Sequence, residues 1–226
     1  MASGTTLLNE DGSASMATLL MMSHHGLRRD LGRFATALKN VAQGDASRVE
    51  ALRSEWKSYH ATLHGHHTSE DSGVFPDLRQ KHPELHAVID GLFADHRHID
   101  PLLERGDAAF AALPDTAAAE ALIAELTTLL DRHLAVEEAA LVPHLRGFAG
   151  FPPPPNDEMA NMYAQGFSWS MQGIAGDVVE QVMKLLPEIL TSRLPAAQQA
   201  FAERCERVWG SARVGLSRTS VPAPLT

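Results

Sequence analysis

Two segments of this sequence carry the same arrangement of residues that can bind a metal ion. HHTSEDSGVFP and HLAVEEAALVP both place a histidine, then a glutamate four positions later and a proline ten positions later. The resulting pairs are His66 with Glu70 and His133 with Glu137. Residues four apart lie on one face of an α-helix, so each pair aims an imidazole and a carboxylate in one direction. These two donors together suit iron, manganese or zinc.

Two further histidines lie on the apolar stripes of predicted helices. His24 comes three residues before Leu27, and His96 comes three residues before Ile99. In an up-and-down arrangement of the four predicted helices, all four histidines lie at similar depth, within roughly one turn at about 1.5 Å per residue. The spacing therefore predicts that four histidines and two glutamates converge on one metal site.

The elements that position these residues are predicted to be long helices. Strand signals are scarce, and apolar residues recur at three and four positions. Four long helices with short connections favour an all-α fold, an up-down-up-down four-helix bundle with a C-terminal two-helix extension. The helices are expected at about 15–41, 47–76, 83–113 and 115–147, the second beginning with a capping box of Ser47 and Glu50.

The domain organisation follows from composition. We expect a flexible N-terminus at 1–14 and the four-helix bundle at 15–148. After a stiff run of four prolines, we expect a two-helix extension at 156–214 that packs on the bundle, and a flexible tail at 215–226.

Charge and composition exclude several classes of protein. The net charge is -9 and the sequence has no basic stripe, so we expect no nucleic-acid partner. No apolar run approaches the ~20 residues that cross a bilayer, so we expect no membrane partner. The single cysteine, Cys205, suits a reducing compartment, and no signal peptide is evident, so a cytoplasmic location is expected. The oligomeric state cannot be predicted from the sequence.

The histidine and glutamate pattern resembles the hemerythrin-like family, whose members carry an HHE cation-binding domain. That family places a histidine on the first helix, His-x-x-x-Glu on the second, a histidine on the third and His-x-x-x-Glu or His-x-x-x-x-Asp on the fourth. The resemblance covers 16–146, and it implies that the matching residues are metal ligands: His24, His66, Glu70, His96, His133 and Glu137. It implies two iron ions with an oxo or hydroxo bridge and both carboxylates spanning the metals, with manganese or zinc as alternatives.

The third helix departs from the pattern of the respiratory oxygen carriers, which have a second histidine there. The residues four positions from His96 are Leu92, which cannot be a ligand, and Asp100, which can. One metal is then completed by Asp100 or by solvent. This favours a protein that binds and processes O2, nitric oxide or peroxide over an oxygen transporter. The alternatives are a metal- or redox-responsive sensor or regulatory protein, or an O2- or iron-binding carrier without turnover.

Neighbouring residues leave the exact ligand assignment open. His25 is an alternative to His24, and Glu138 is an alternative to Glu137. His67 with Asp71 forms a second pair four residues apart. Asp71 and Glu138 are expected to hold a ligand imidazole or to be solvated acids. Tyr59 lies on the face of His66 two turns away and is either a core residue or a hydrogen-bond donor or radical sink near the metals.

Overall fold

The computed structural model describes residues 6–41, 45–147 and 150–210, and this part of the chain is all-helical. It divides into two compact units. One comprises residues 27–141, and the other comprises 1–26 together with 142–226. The predicted flexible tail at 215–226 lies outside the described residues, and the predicted domain boundaries remain predictions.

The first two predicted helices form as expected, with a different cap and a different end. Helix α1 spans Met16–Leu38 and helix α2 spans Ala46–Ser69. The predicted capping box is wrong, because the side chain of Asp45 accepts the hydrogen bond from the Arg48 amide at 2.9 Å. Asp45 lies just before the first helical residue, where a short acceptor satisfies a free amide of the first turn.

The second helix widens beyond Ser69 and does not stop. Residues Glu70–Val74 form a π-helical turn, and helix α3 follows at Phe75–Lys81. Glu70 donates its amide to the carbonyls of His66 and His67, and its own carbonyl accepts from the Phe75 amide five residues on. Such turns accommodate an extra residue within a helix and are frequent at functional sites.

The third and fourth predicted helices are also present. A short 3-10 turn at Pro83–Leu85 leads into helix α4 at His86–Ala111. Helix α5 spans Ala117–Ala140, and helix α6 spans Val142–Leu145. Alanine, leucine and glutamate dominate α5, which explains its helical conformation. Its buried side chains recur at three and four positions, so α5 has one apolar face for the core.

The unit of residues 27–141 has an aromatic cluster in its core. Phe34 of α1 contacts Trp56 and Tyr59 of α2, and Trp56 stacks on Phe110 of α4 with ring centroids 4.6 Å apart. A Cβ atom on Gly106 would lie 1.9 Å from Cζ2 of Trp56. The indole therefore lies directly against the backbone of α4, where only glycine leaves enough space.

In its described residues, the other unit contains four further helices. They are α7 at Asp157–Met171, α8 at Gly176–Met183, α9 at Glu188–Thr191 and α10 at Leu194–Trp209. Where the sequence predicts two helices, the structure thus has two long helices with two short ones between them. Helix α7 packs against α9 and α10. Trp169 of α7 lies against Gly26 of α1, where a Cβ atom would approach the indole to 2.6 Å.

None of the helices in the described ranges is long and apolar enough to cross a lipid bilayer.

Candidate metal site

Helix α5 contributes the most deeply buried pair of candidate ligands. His133 and Glu137 are both fully buried, and they continue the apolar stripe that includes Leu126 and Leu130. His133 Nε2 lies 3.7 Å from Glu137 Oε2. A histidine and a glutamate on an apolar stripe must be paired or bound, because burying polar groups without partners is costly.

Helix α2 and the π-helical turn contribute the second pair. His66 Nε2 lies 3.0 Å from Oε1 of Glu70, as expected for residues four apart. Glu70 is 2% exposed, whereas His66 is less completely buried. Within the described residues, neither carboxylate oxygen of Glu70 accepts a hydrogen bond. A buried carboxylate in this position fits a cation.

Helix α4 brings His96 to the same place. His96 Nε2 lies 3.2 Å from His133 Nε2 and 3.6 Å from Glu70 Oε2. Two imidazole nitrogens that are both about 2.1 Å from one cation lie about 3.2 Å apart when the angle at the cation is about 100°. One ligand atom from each of Glu70, His96, His133 and Glu137 falls within 4.8 Å of all the others. Ligand atoms of His66, Glu70 and Glu137 satisfy the same limit.

The two groups of ligand atoms share the carboxylates of Glu70 and Glu137. Burial raises the pKa of Glu70 well above its usual value, and the neighbouring carboxylates of Glu137 and Asp71 raise it further. Placing two carboxylates together in a buried position is unfavourable unless a proton or a cation lies between them. The donor set of buried imidazoles and carboxylates thus fits the metal cations named above.

Asp71 is not among the candidate ligands of the described residues, but it orients one of them. His96 Nδ1 donates a hydrogen bond of 2.7 Å to Asp71 Oδ1, and the Asp71 side chain is 40% exposed. This bond places the proton on Nδ1 and leaves the lone pair on Nε2, the atom that faces Glu70 and His133. The expectation that Asp71 holds an imidazole agrees with this contact.

Two further acids near the candidate ligands, Glu138 and Asp95, have different partners. Glu138 is buried and forms an ion pair with Arg28, whose Nη1 lies 2.5 Å from Oε1. The predicted roles for Glu138, an imidazole partner or a solvated acid, do not describe this ion pair. Asp95 Oδ2 lies 3.6 Å from His133 Nδ1, and Asp95 also pairs with Arg132 at 2.7 Å. Sequence reasoning missed Asp95, which has no distinctive spacing from His133.

The two positions of α4 that lie four residues before and after His96 do not supply a further ligand. Leu92 is buried and apolar. Asp100 belongs to a largely exposed pair, with Oδ1 3.5 Å from His64 Nδ1. Asp100 is also absent from the groups of candidate ligands in the described part of the chain. The structure therefore gives no support to the expectation that Asp100 completes the site.

His67, which the sequence offered only as an alternative to His66, lies within the cluster. It is 2% exposed, and its ring stacks on His96 with centroids 4.0 Å apart. The signal was available in the sequence, because buried Leu63 precedes His67 by four residues, on the same face of α2.

The histidines of α1 and the tyrosine of α2 complete the set of predicted residues. His24 is fully buried and belongs to the unit of residues 1–26 and 142–226. His25 Nε2 lies 3.0 Å from the Gln172 carbonyl oxygen in that unit. Tyr59 belongs to the aromatic core, and its hydroxyl lies 3.5 Å from the Leu27 carbonyl oxygen. Burial raises the pKa of Tyr59 well above its usual value, and Asp30 and Asp131 add to this.

Helical elements that carry a buried cluster of imidazoles and carboxylates define a cation-binding helical protein. The family model of the hemerythrin HHE cation-binding domain matches residues 15–145, more than half of the chain. The chain therefore belongs to the hemerythrin HHE cation-binding family, as the sequence pattern predicts. Searches among curated proteins and among solved structures found no match.

Proposed function

We propose that this chain is a cytoplasmic non-haem di-iron protein that binds and processes O2, nitric oxide or peroxide. The observation that carries the proposal is the sharing of Glu70 and Glu137 between two groups of candidate ligand atoms. Carboxylates that serve two groups are placed to bridge two cations. Iron is the preferred metal because of the family, and manganese or zinc are compatible with the same donors.

The proposed fold is an up-down-up-down four-helix bundle followed by a helical extension. On the family pattern, His24 is the ligand from α1, and His66, His96 and His133 are the imidazole ligands from α2, α4 and α5. A bridged iron pair supplies a site that can exchange electrons with a small oxidant. The surrounding side chains hold the ligands in place: Asp71 fixes the tautomer of His96 through the 2.7 Å hydrogen bond.

Buried apolar residues lie near the candidate ligands. Leu92 and Phe75 are buried, and the Phe75 ring stacks on His96 with centroids 5.5 Å apart. Leu63 precedes His67 by one turn and is also buried. These buried apolar surroundings favour a small ligand such as a diatomic molecule or a peroxide, which is the basis for the proposed partner.

The test begins with the metal-free protein, which is loaded with iron(II) without oxygen. We expect two iron ions per chain and near-ultraviolet absorption of an oxo-bridged ferric pair after oxidation. Steady consumption of peroxide or nitric oxide then supports processing. Fewer than one retained iron per chain contradicts the proposal.

A matched pair of variants separates the site from its surroundings. Glu70→Gln and Glu55→Gln each remove one buried carboxylate, from the π-helical turn and from α2 respectively, but only Glu70 lies among the candidate ligands. We expect Glu70→Gln to lose iron and Glu55→Gln to retain it. Equal retention by both variants contradicts the assignment of Glu70.

The second candidate function is a sensor, regulatory protein or carrier that binds the ligand without turnover. Helix α4 has Leu92 and Asp100 four positions from His96, so it lacks the second histidine that the third helix of the oxygen carriers has. Reversible binding of O2 by the iron-loaded protein, with no consumption of peroxide or nitric oxide, favours the second candidate.

A further inference from the structure

His67, the sequence neighbour of His66, itself lies close to two of the candidate ligands. Its ring centroid is 4.0 Å from that of His96, with an angle of 20° between the planes, and 5.7 Å from that of His133. One ring nitrogen from each of the three histidines falls within 4.8 Å of the other two. All three are at most 3% exposed.

We propose that His67 is a direct ligand of one of the two cations, together with His96 and His133. This inference rests on the proposed function and adds a residue to it. In this arrangement His66 and His67 serve different cations, so α2 supplies two imidazoles. His67 then provides the imidazole that Leu92 cannot provide from α4.

The backbone of α2 is consistent with ligands from both neighbouring histidines. The amide of Glu70 is shared between the carbonyls of His66 and His67, where the α-helix widens into the π-helical turn. His67 continues the buried face of α2, four residues after Leu63. His66 lies one position away and reaches Glu70 at 3.0 Å.

The arrangement of His96 fits a shared cation. Its Nδ1 donates to Asp71, so the lone pair of the neutral ring is on Nε2. That atom lies 3.2 Å from His133 Nε2, the separation of two ligands of one cation. A third imidazole would give this cation three nitrogen donors in addition to the shared carboxylates.

The test compares His67→Phe with wild-type protein and with the control His64→Phe. Phenylalanine preserves a ring that can stack on His96 but removes the donor atom. His64 is also a histidine of α2, but its side chain is 60% exposed. Each metal-free protein is first checked for folding by circular dichroism, then loaded with iron(II) and challenged with a chelator.

We expect wild type and His64→Phe to retain two irons per chain. His67→Phe is expected to retain one and to release the second at least about tenfold faster, because loss of even an outer-shell partner costs about 10–100-fold in affinity. If the metal-free His67→Phe protein does not fold, His67→Gln takes its place and its iron retention decides. Release of the second iron at the wild-type rate overturns the role of His67 and leaves the di-iron proposal intact, since stacking alone would explain the geometry. Failure of wild type to retain iron overturns the proposed function itself.

Discussion

Gly106→Ala is expected to destabilise the protein because the Trp56 indole lies against the backbone of α4. The added Cβ atom would lie 1.9 Å, 2.5 Å and 2.7 Å from three ring atoms. The ring cannot move away easily. It is 1% exposed, it stacks on Phe110 at 4.6 Å, and its Nε1 donates a 2.8 Å hydrogen bond to Asp107.

The magnitude follows from two opposing terms. Overpacking a core costs about 1–3 kcal/mol, and the short distance places this site at the upper end, about 3 kcal/mol. Alanine improves helix propensity over glycine by about 1 kcal/mol. The expected net loss for Gly106→Ala is therefore about 2 kcal/mol.

Gly91 provides the matched control on the same helix. It is exposed, and a Cβ atom there would meet nothing within 4 Å. Gly91→Ala should therefore stabilise the protein by up to about 1 kcal/mol. Urea unfolding of the metal-free proteins, followed by circular dichroism, measures both changes. Gly106→Ala that is as stable as Gly91→Ala would refute the packing argument.

The remaining predictions concern the site and its surroundings. Glu70→Ala should lose more iron than Asp71→Ala, as measured by metal analysis; the reverse order would contradict the assignment. Asp71→Leu should weaken iron binding about 10–100-fold by removing the acceptor of His96, measured by competition with a chelator. In the metal-free protein, the pKa of Glu70 is higher in the folded state than in the unfolded state, so the folded state binds more protons between the two pKa values. Stability therefore falls as the pH rises from the unfolded-state pKa to the folded-state pKa of Glu70. Glu70→Gln should reduce this fall, measured by urea unfolding from about pH 5 to about pH 8. Tyr59→Phe should change stability by less than about 1 kcal/mol because its 3.5 Å contact with the Leu27 carbonyl is weak, and unchanged peroxide consumption would argue against a radical role.

The helices and the residues at the centre of the site could be predicted because the helical periodicity of the apolar residues indicates both. The apolar stripe of α5 predicts which face is buried, and His133 and Glu137 continue that stripe. His96 lies on the corresponding face of α4, three residues before buried Ile99. Helical periodicity therefore places these residues in the interior without knowledge of the tertiary structure.

Other features depend on interactions that periodicity does not encode. The π-helical turn at Glu70–Val74 requires hydrogen bonds to the fifth residue, and the spacing of the apolar residues does not reveal them. The pairing of Glu138 with Arg28 joins residues 110 positions apart. The capping role of Asp45 was missed for a different reason, because Ser47 and Glu50 have the spacing of a capping box while the helix begins one residue earlier, at Ala46.

The two segments that share the spacing of histidine, glutamate and proline supply the same kinds of ligand but differ in their structure. After Glu70 the helix widens into a π-helical turn, whereas α5 ends at Ala140, three residues after Glu137. The acids that follow the two glutamates also have different partners, an imidazole at Asp71 and a guanidinium at Glu138. The two halves of the site are therefore inequivalent. Replacing one segment by the sequence of the other would transfer the ligands without their environment. In a bridged pair, such inequivalence would give the two metals different reduction potentials and different affinities for an incoming ligand.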